Sequence, residues 1–201
     1  KENYSKPVFR YVPFNRVHSP LASPKKYLDM YSQYMGAYQE QHPDLFYGDC
    51  AEKPWRGVGE YYANISYLDA QVGKVMDKIK AMGEEDNTII VFTSDNGCSP
   101  AAGITEMEEQ GHHPNHIFRG QKADLFDGGH RIPCLLQWKG KVAPHKVNQT
   151  ICLTDFYATF ADVNGYKLAD TEGEDSYSLL QAIYSIQEIP SIREATVHHS
   201  F

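Results

Sequence analysis

The sequence predicts an α/β fold with a mostly parallel sheet flanked by helices. Three observations predict it. Over residues 58–82, Tyr62, Ile65, Leu68, Val72, Val75, Met76, Ile79 and Met82 recur at helical spacing. The short polar link "EEDN" then leads to "TIIVF" at residues 88–92. That run is apolar on both faces, as an interior parallel strand requires. A helix feeding directly into such a strand is an α/β signature. Last, the glycine pair Gly128–Gly129 precedes another apolar run at residues 133–138.

Residues 8–14 (VFRYVPF) read as a short buried strand running into the polar loop that carries His18. Residues 20–57 are rich in Pro, Gly and Tyr, with a helical patch near 25–34. A connection this long is often functional. In the helix of 58–82, Lys74, Asp77, Lys78 and Lys80 fill the polar face and Gly83 closes the C-terminus. The strand of 88–93 follows. Residues 98–118 form a second long loop bearing His112, His113 and His116. Residues 153–164 read as a helix, with Thr154 or Asp155 near its start and Gly165 after its end. In the tail, "SYSLLQAIYS" reads as a short helix and "EATVHHSF" as a strand. There is no internal repeat and no low-complexity segment.

With 201 residues the chain is long enough for one sizeable core or a large part of a bigger domain. A formal charge of -7 argues against general nucleic-acid binding, while leaving room for a local anion pocket. No apolar run approaches the ~20 residues of a membrane span. The four cysteines, Cys50, Cys98, Cys134 and Cys152, form no C-x-x-C pair, which argues against a structural zinc site. Three triplets, at Asn3, Asn64 and Asn148, match the glycosylation acceptor pattern.

The chemistry concentrates at strand ends. In open parallel sheets, ligands bind beyond the carboxyl ends of the strands. Asp95 and Asn96 sit there in "SDNG", and His18 follows its own run in the same way. Asp-Asn-Gly is also a good tight turn, because Asn-Gly favours positive φ. The readings are compatible: a turn can aim a carboxylate and an amide oxygen, both hard ligands, at Ca²⁺ or Mg²⁺. Two residues do not fill six or more positions, and no second acidic cluster at a strand end is evident. Lys122 lies in "FRGQKADLFDGGHRIP" near Arg119 and Arg131, a mixture of point-charge and fork donors that suits a tetrahedral anion. The ordinary reading is a solvated surface lysine. His112, His113 and His116 have a spacing that allows zinc, with exposed loop histidines the commoner arrangement.

Taken together, "YYANISYLDAQVGKVMDKIKAMGEEDNTIIVFTSDNG" and "FRGQKADLFDGGHRIPCLLQWKGKV" resemble the type I sulfatases of the alkaline-phosphatase-like superfamily. "KPVFRYVPFNRVHSP", "TDFYATFADVNGY" and "EDSYSLLQAI" resemble further segments of that family in the same order, so the likeness covers nearly the whole chain. The resemblance implies hydrolysis of sulfate esters, a sulfuric ester hydrolase using formylglycine and Ca²⁺. It implies Asp95 and Asn96 as metal ligands. It also makes His18 and Lys122 catalytic and substrate-binding. Arg119 and His113, with His112 and Tyr47, are candidates to touch a sugar. The implied substrate is a sulfated small molecule or carbohydrate, and the implied compartment periplasmic, lysosomal or extracellular.

The sequence also departs from the family. The nucleophile motif C/S-x-P-x-R and two further metal carboxylates belong upstream of residues 6–14, and the small C-terminal domain is mostly missing. The expectation is therefore a partial catalytic domain over 1–201, inactive alone, with weak or no Ca²⁺ binding. Exposed sheet surface would give possible self-association. Cys98-Ser99-Pro100-Ala101-Ala102 imitates the modification motif but ends in Ala where Arg is needed. Asp127 stands where the family commonly has Glu. Two alternatives remain: a phosphatase or phosphodiesterase of the same superfamily, or a non-catalytic binding pseudoenzyme. Asn96 argues against the first, since two-metal sites want His there and Asn is a poor Zn²⁺ ligand.

Overall fold

The computed structural model describes residues 6–18, 21–34 and 57–198. Two compact units emerge: Val12–Leu136 in one, and Gln137–His199 with Lys1–Tyr11 in the other. The fold class is α/β, with helices and a small sheet.

The first unit is organised by two helices, α1 (Lys25–Met30) and α2 (Val58–Met82). Gly83 ends α2 at φ 75°, and the amides of Gly83 and Glu84 bond back to the carbonyls of Lys80 and Ile79. This is the paired closure that a left-handed glycine permits. After a turn of 3-10 helix, β1 (Ile89–Thr93) begins. The chain then passes through another 3-10 turn at Pro100–Ala102, α3 (Ile104–Glu109) and a long loop to α4 (Asp127–His130). β2 (Cys134–Trp138) pairs with β1 in a two-stranded sheet.

Two small cores seat the N-terminal half of α2. Tyr27, Leu28 and Ala63 form one; Val58, Ala102 and Met107 form the other, with Tyr61, Tyr62 and Cys98 packed against it. Each fully buried aliphatic side chain of this kind contributes about 1.5–3 kcal/mol. The periodic stripe continues past these cores, but its C-terminal members Val75, Met76 and Met82 are exposed. Helical periodicity sets which residues share a face. Only the packing of α1, α3 and the 3-10 turns at one end decides which are covered.

In the second unit α5 (Asp155–Val163) and α6 (Leu180–Tyr184) pack together. Asp155 is fully buried. Its carboxylate accepts from the Cys152 amide (2.7 Å), the Tyr177 amide (3.0 Å) and the Arg193 guanidinium. Thr159, also buried, donates to the Asp155 carbonyl (2.6 Å) and accepts from the Leu179 amide (2.9 Å).

Several sequence expectations need correction. Residues 8–14 are extended but belong to no strand, and Phe9 and Tyr11 are 70 % and 79 % exposed. Within its unit Phe9 leans on Phe160, with ring centroids 5.8 Å apart; that contact replaces a ladder. β1 is only half-buried along its length, because among the described residues it pairs with β2 alone. The 98–118 loop contains α3 and, before it, the 3-10 turn Pro100–Ala102, which Ser99 caps by accepting the Ala101 amide (3.3 Å). Residues 194–198 form no strand. Asn64 is fully buried in α2, so its acceptor triplet is no sugar site. Asn3 and Cys50 lie outside the described residues, as does Tyr47.

Candidate functional site

The site is assembled by backbone from three segments of the first unit. Where β1 ends, Ser94–Gly97 bends away, with the Ser94 hydroxyl donating to the Asn96 carbonyl (3.2 Å). Asn96 donates through its Nδ2 to the Gly97 carbonyl (3.0 Å), and its Oδ1 has no partner among the described residues. Asp95 is exposed, and its carboxylate has no partner among the described residues.

The loop carrying Arg119 and Lys122 is fastened to that bend. The Lys122 amide donates to the Cys98 carbonyl (2.9 Å). Asn115 bridges both: its Oδ1 accepts from the Cys98 amide (3.0 Å), and its Nδ2 donates to the Gly120 carbonyl (2.9 Å). The Gly97 amide donates to the Gly129 carbonyl (2.9 Å), and the Gly128 amide to the Arg119 carbonyl (2.7 Å).

This crossing works only with glycine. A Cβ on Gly97 would fall 1.7 Å from the Gly128 carbonyl oxygen; one on Gly128 would fall 2.1 Å from that of Gly120. No side chain fits there, so "SDNG", "RGQK" and "DGGH" are one interlocked feature. It holds the Asp95–Asn96 turn beside the Lys122 loop.

The other expected residues are less concentrated. Arg119 is exposed and lies over the Phe126 ring, 3.6 Å from its centroid. Arg131 lies over Phe118 (4.5 Å) and 3.4 Å from Asp127. His113 is exposed at the exit of α3, 3.9 Å from Glu108. His18 is exposed on a bend after the extended segment. Its neighbour Arg16 anchors that bend, donating to the Ala22 carbonyl (2.5 Å) and lying over Tyr67 of α2. The histidine cluster does not converge: His112 Nδ1 meets the Tyr62 hydroxyl at 2.5 Å, and among the described residues no three His, Cys, Asp or Glu side chains gather around one point.

Cys98 is packed, half-buried, against the Val58–Met107 core, its thiol 3.7 Å from the Tyr61 hydroxyl. Burial pushes its pKa up, against a smaller downward pull from the Tyr61 hydrogen bond. A neutral thiol is a poor nucleophile. Sequence reasoning missed Asn115, the clamp between the two loops. An asparagine in a polar loop gives no sign of which distant backbone groups it will satisfy.

Comparison with known proteins places the chain among familiar sequences and folds. The family model described as Sulfatase matches residues 1–166. The N-acetylgalactosamine-6-O-sulfatase of Bacteroides thetaiotaomicron is 30 % identical over 172 residues, covering 84 % of this chain and 33 % of that protein. An arylsulfatase of Hemicentrotus pulcherrimus is 33 % identical over 146 residues, 71 % of this chain and 25 % of its own length. A crystal structure of Ps i-CgsB in complex with k-i-k-neocarrahexaose superposes with a TM-score of 0.70 at 25 % identity, over 90 % of this chain and 34 % of that one. The chain thus spans about a third or less of the relatives it matches. With the family model matched over residues 1–166 of its 201, this chain belongs to the sulfatase family.

Proposed function

We propose that the whole protein hydrolyses the sulfate ester of a sulfated carbohydrate or small molecule, with Asp95 and Asn96 contributing to a Ca²⁺ site and Lys122 and His18 to the reaction. The observation that carries this reading is the backbone weld that sets the Lys122 loop against the Asp95–Asn96 turn. Two of the relatives are named for sulfated substrates or complexed with a carrageenan-type oligosaccharide, which supports a sulfated carbohydrate as the substrate class.

The donor set suits the ion as far as it goes. The Asp95 carboxylate and the Asn96 amide oxygen, both without a partner among the described residues, are hard ligands of the kind Ca²⁺ takes. They fill two of the six to eight positions Ca²⁺ prefers. Bound there, the ion would neutralise charge on the nonbridging sulfate oxygens.

The chain's own groups answer the remaining needs. Cleaving a sulfate ester requires charge stabilisation on nonbridging oxygens and a proton for the leaving alkoxide. The Lys122 ammonium supplies the first as a point charge with three donors. His18 supplies the second, holding a proton near the bridging oxygen and passing it to the departing alkoxide. The formylglycine nucleophile would come from a C/S-x-P-x-R motif that Cys98–Ala102 does not provide. The compartment we infer is an exported one, periplasmic, lysosomal or extracellular.

The test is turnover of 4-nitrophenyl sulfate by the full-length protein and by its His18→Ala and Lys122→Ala variants. Each removes one transition-state contact, so kcat should fall by about 10²–10³. Unchanged kcat in His18→Ala would remove it from the reaction.

A further inference from the structure

Beside the welded loops lies a cleft of about 590 Å³ that the sulfate chemistry does not use. Its walls come from α3 and from residues 115–124. It borders the loops of the proposed site: Asn115, which lines it, bonds both the Cys98 amide and the Gly120 carbonyl, and Gln121, also in its lining, directly precedes Lys122.

The lining is polar with one aromatic wall. Asn115, Gln121 and Thr105 offer neutral donors and acceptors. Phe118 and His116 make the wall, with ring centroids 6.1 Å apart. His116 adopts φ 54°, a left-handed conformation uncommon for any residue but glycine. Such backbone persists where the surroundings impose it, and it clusters at ligand sites. A volume of this size, mostly polar with one aromatic wall, suits a small ring bearing hydroxyls or amides.

Charge narrows the choice. Glu106, Glu108 and Asp124 line the cleft against Arg119 alone as a full cation. Arg119 is already stacked on Phe126, and Asp124 accepts the Gln121 amide (3.0 Å). Glu106 and Glu108 are exposed on α3. A ligand group entering here meets net negative charge, and like-charge juxtaposition penalises a second anion. We propose that this cleft is a specificity site that accepts an uncharged, hydroxyl- or amide-bearing sugar ring next to the sulfated position and discriminates against a ring carrying a second sulfate or a carboxylate. This rests on the sulfatase reading above.

The experiment compares kcat/KM of the full-length protein on two disaccharides. One carries a single sulfate; the other adds a second sulfate on the neighbouring ring. Wild type should prefer the singly sulfated substrate by tenfold or more. The double variant E106Q/E108Q should lower that preference about fivefold, because two carboxylates at the cleft are neutralised. The ratio is taken within each variant, so a loss of folded protein cancels. Glu109→Gln, on the same helix but outside the cleft, should leave the ratio where it was. An unchanged ratio in E106Q/E108Q, an equal drop in Glu109→Gln, or wild-type preference for the doubly sulfated substrate would overturn the assignment while leaving the sulfatase reading intact. Failure to hydrolyse either disaccharide and 4-nitrophenyl sulfate would reject both.

Discussion

Gly97 and Gly128 carry the tightest constraint at the residue scale. Their Cα atoms sit where a side chain would overlap a neighbouring carbonyl. Gly97→Ala should therefore force the two loops apart, at a cost of about 1–3 kcal/mol or more. A thermal melt should show a clear drop in Tm. An alanine variant as stable as wild type would mean that the segments do not cross this closely. The glycines were visible in the sequence as turns, and Asp95, Asn96 and Lys122 as chemistry. That these are one structure was not visible, because most of the bonds joining them are backbone to backbone, between residues 9 to 32 positions apart. Cys98 shows the converse. Its local motif looked reactive, but the core behind it keeps the thiol neutral.

Helix α5 illustrates what lies beyond local pattern at the scale of an element. Its start near Thr154 or Asp155 could be read from the sequence. That Asp155 would be wholly buried and paired with Arg193, 38 positions on, could not. Removing one member of a buried pair strands the other, at about 3–5 kcal/mol. Arg193→Ala should accordingly destabilise the second unit by that order in a denaturant titration. A shift below ~1 kcal/mol would show the pair to be dispensable. His145 gives the same unit a pH dependence. Its ring nitrogens face the carbonyls of Ala143 (2.8 Å) and Ala182 (3.2 Å), and both are satisfied at once only by the protonated ring. Those two carbonyls raise its pKa above the ordinary 6.5. Its stabilisation is then full below pH 6.5 and fades as pH rises through the raised value. Tm measured from pH 5.5 to 8.5 should fall more in wild type than in His145→Gln over that upper window. Parallel curves would exclude the linkage. The same limit explains α2: its length and caps were legible, but the coverage of its far end was not.

The sulfatase order of segments was legible at the scale of the whole molecule, because motifs survive in sequence even where strands do not form. The two-stranded sheet and the exposed extended segment were not, since both depend on which partners are present to pair with. Exposed apolar side chains, Phe9, Ile117, Leu135 and Ile186 among them, should make this chain self-associate. Sedimentation velocity should show species above the monomer that grow with concentration; a monomer at all concentrations would count against it. The central claim, that the protein of which this chain forms part cleaves sulfate esters, is tested most directly by one comparison. The full-length protein should hydrolyse 4-nitrophenyl sulfate with a kcat/KM at least tenfold above that for 4-nitrophenyl phosphate. No release from the sulfate, or preference for the phosphate, would contradict it.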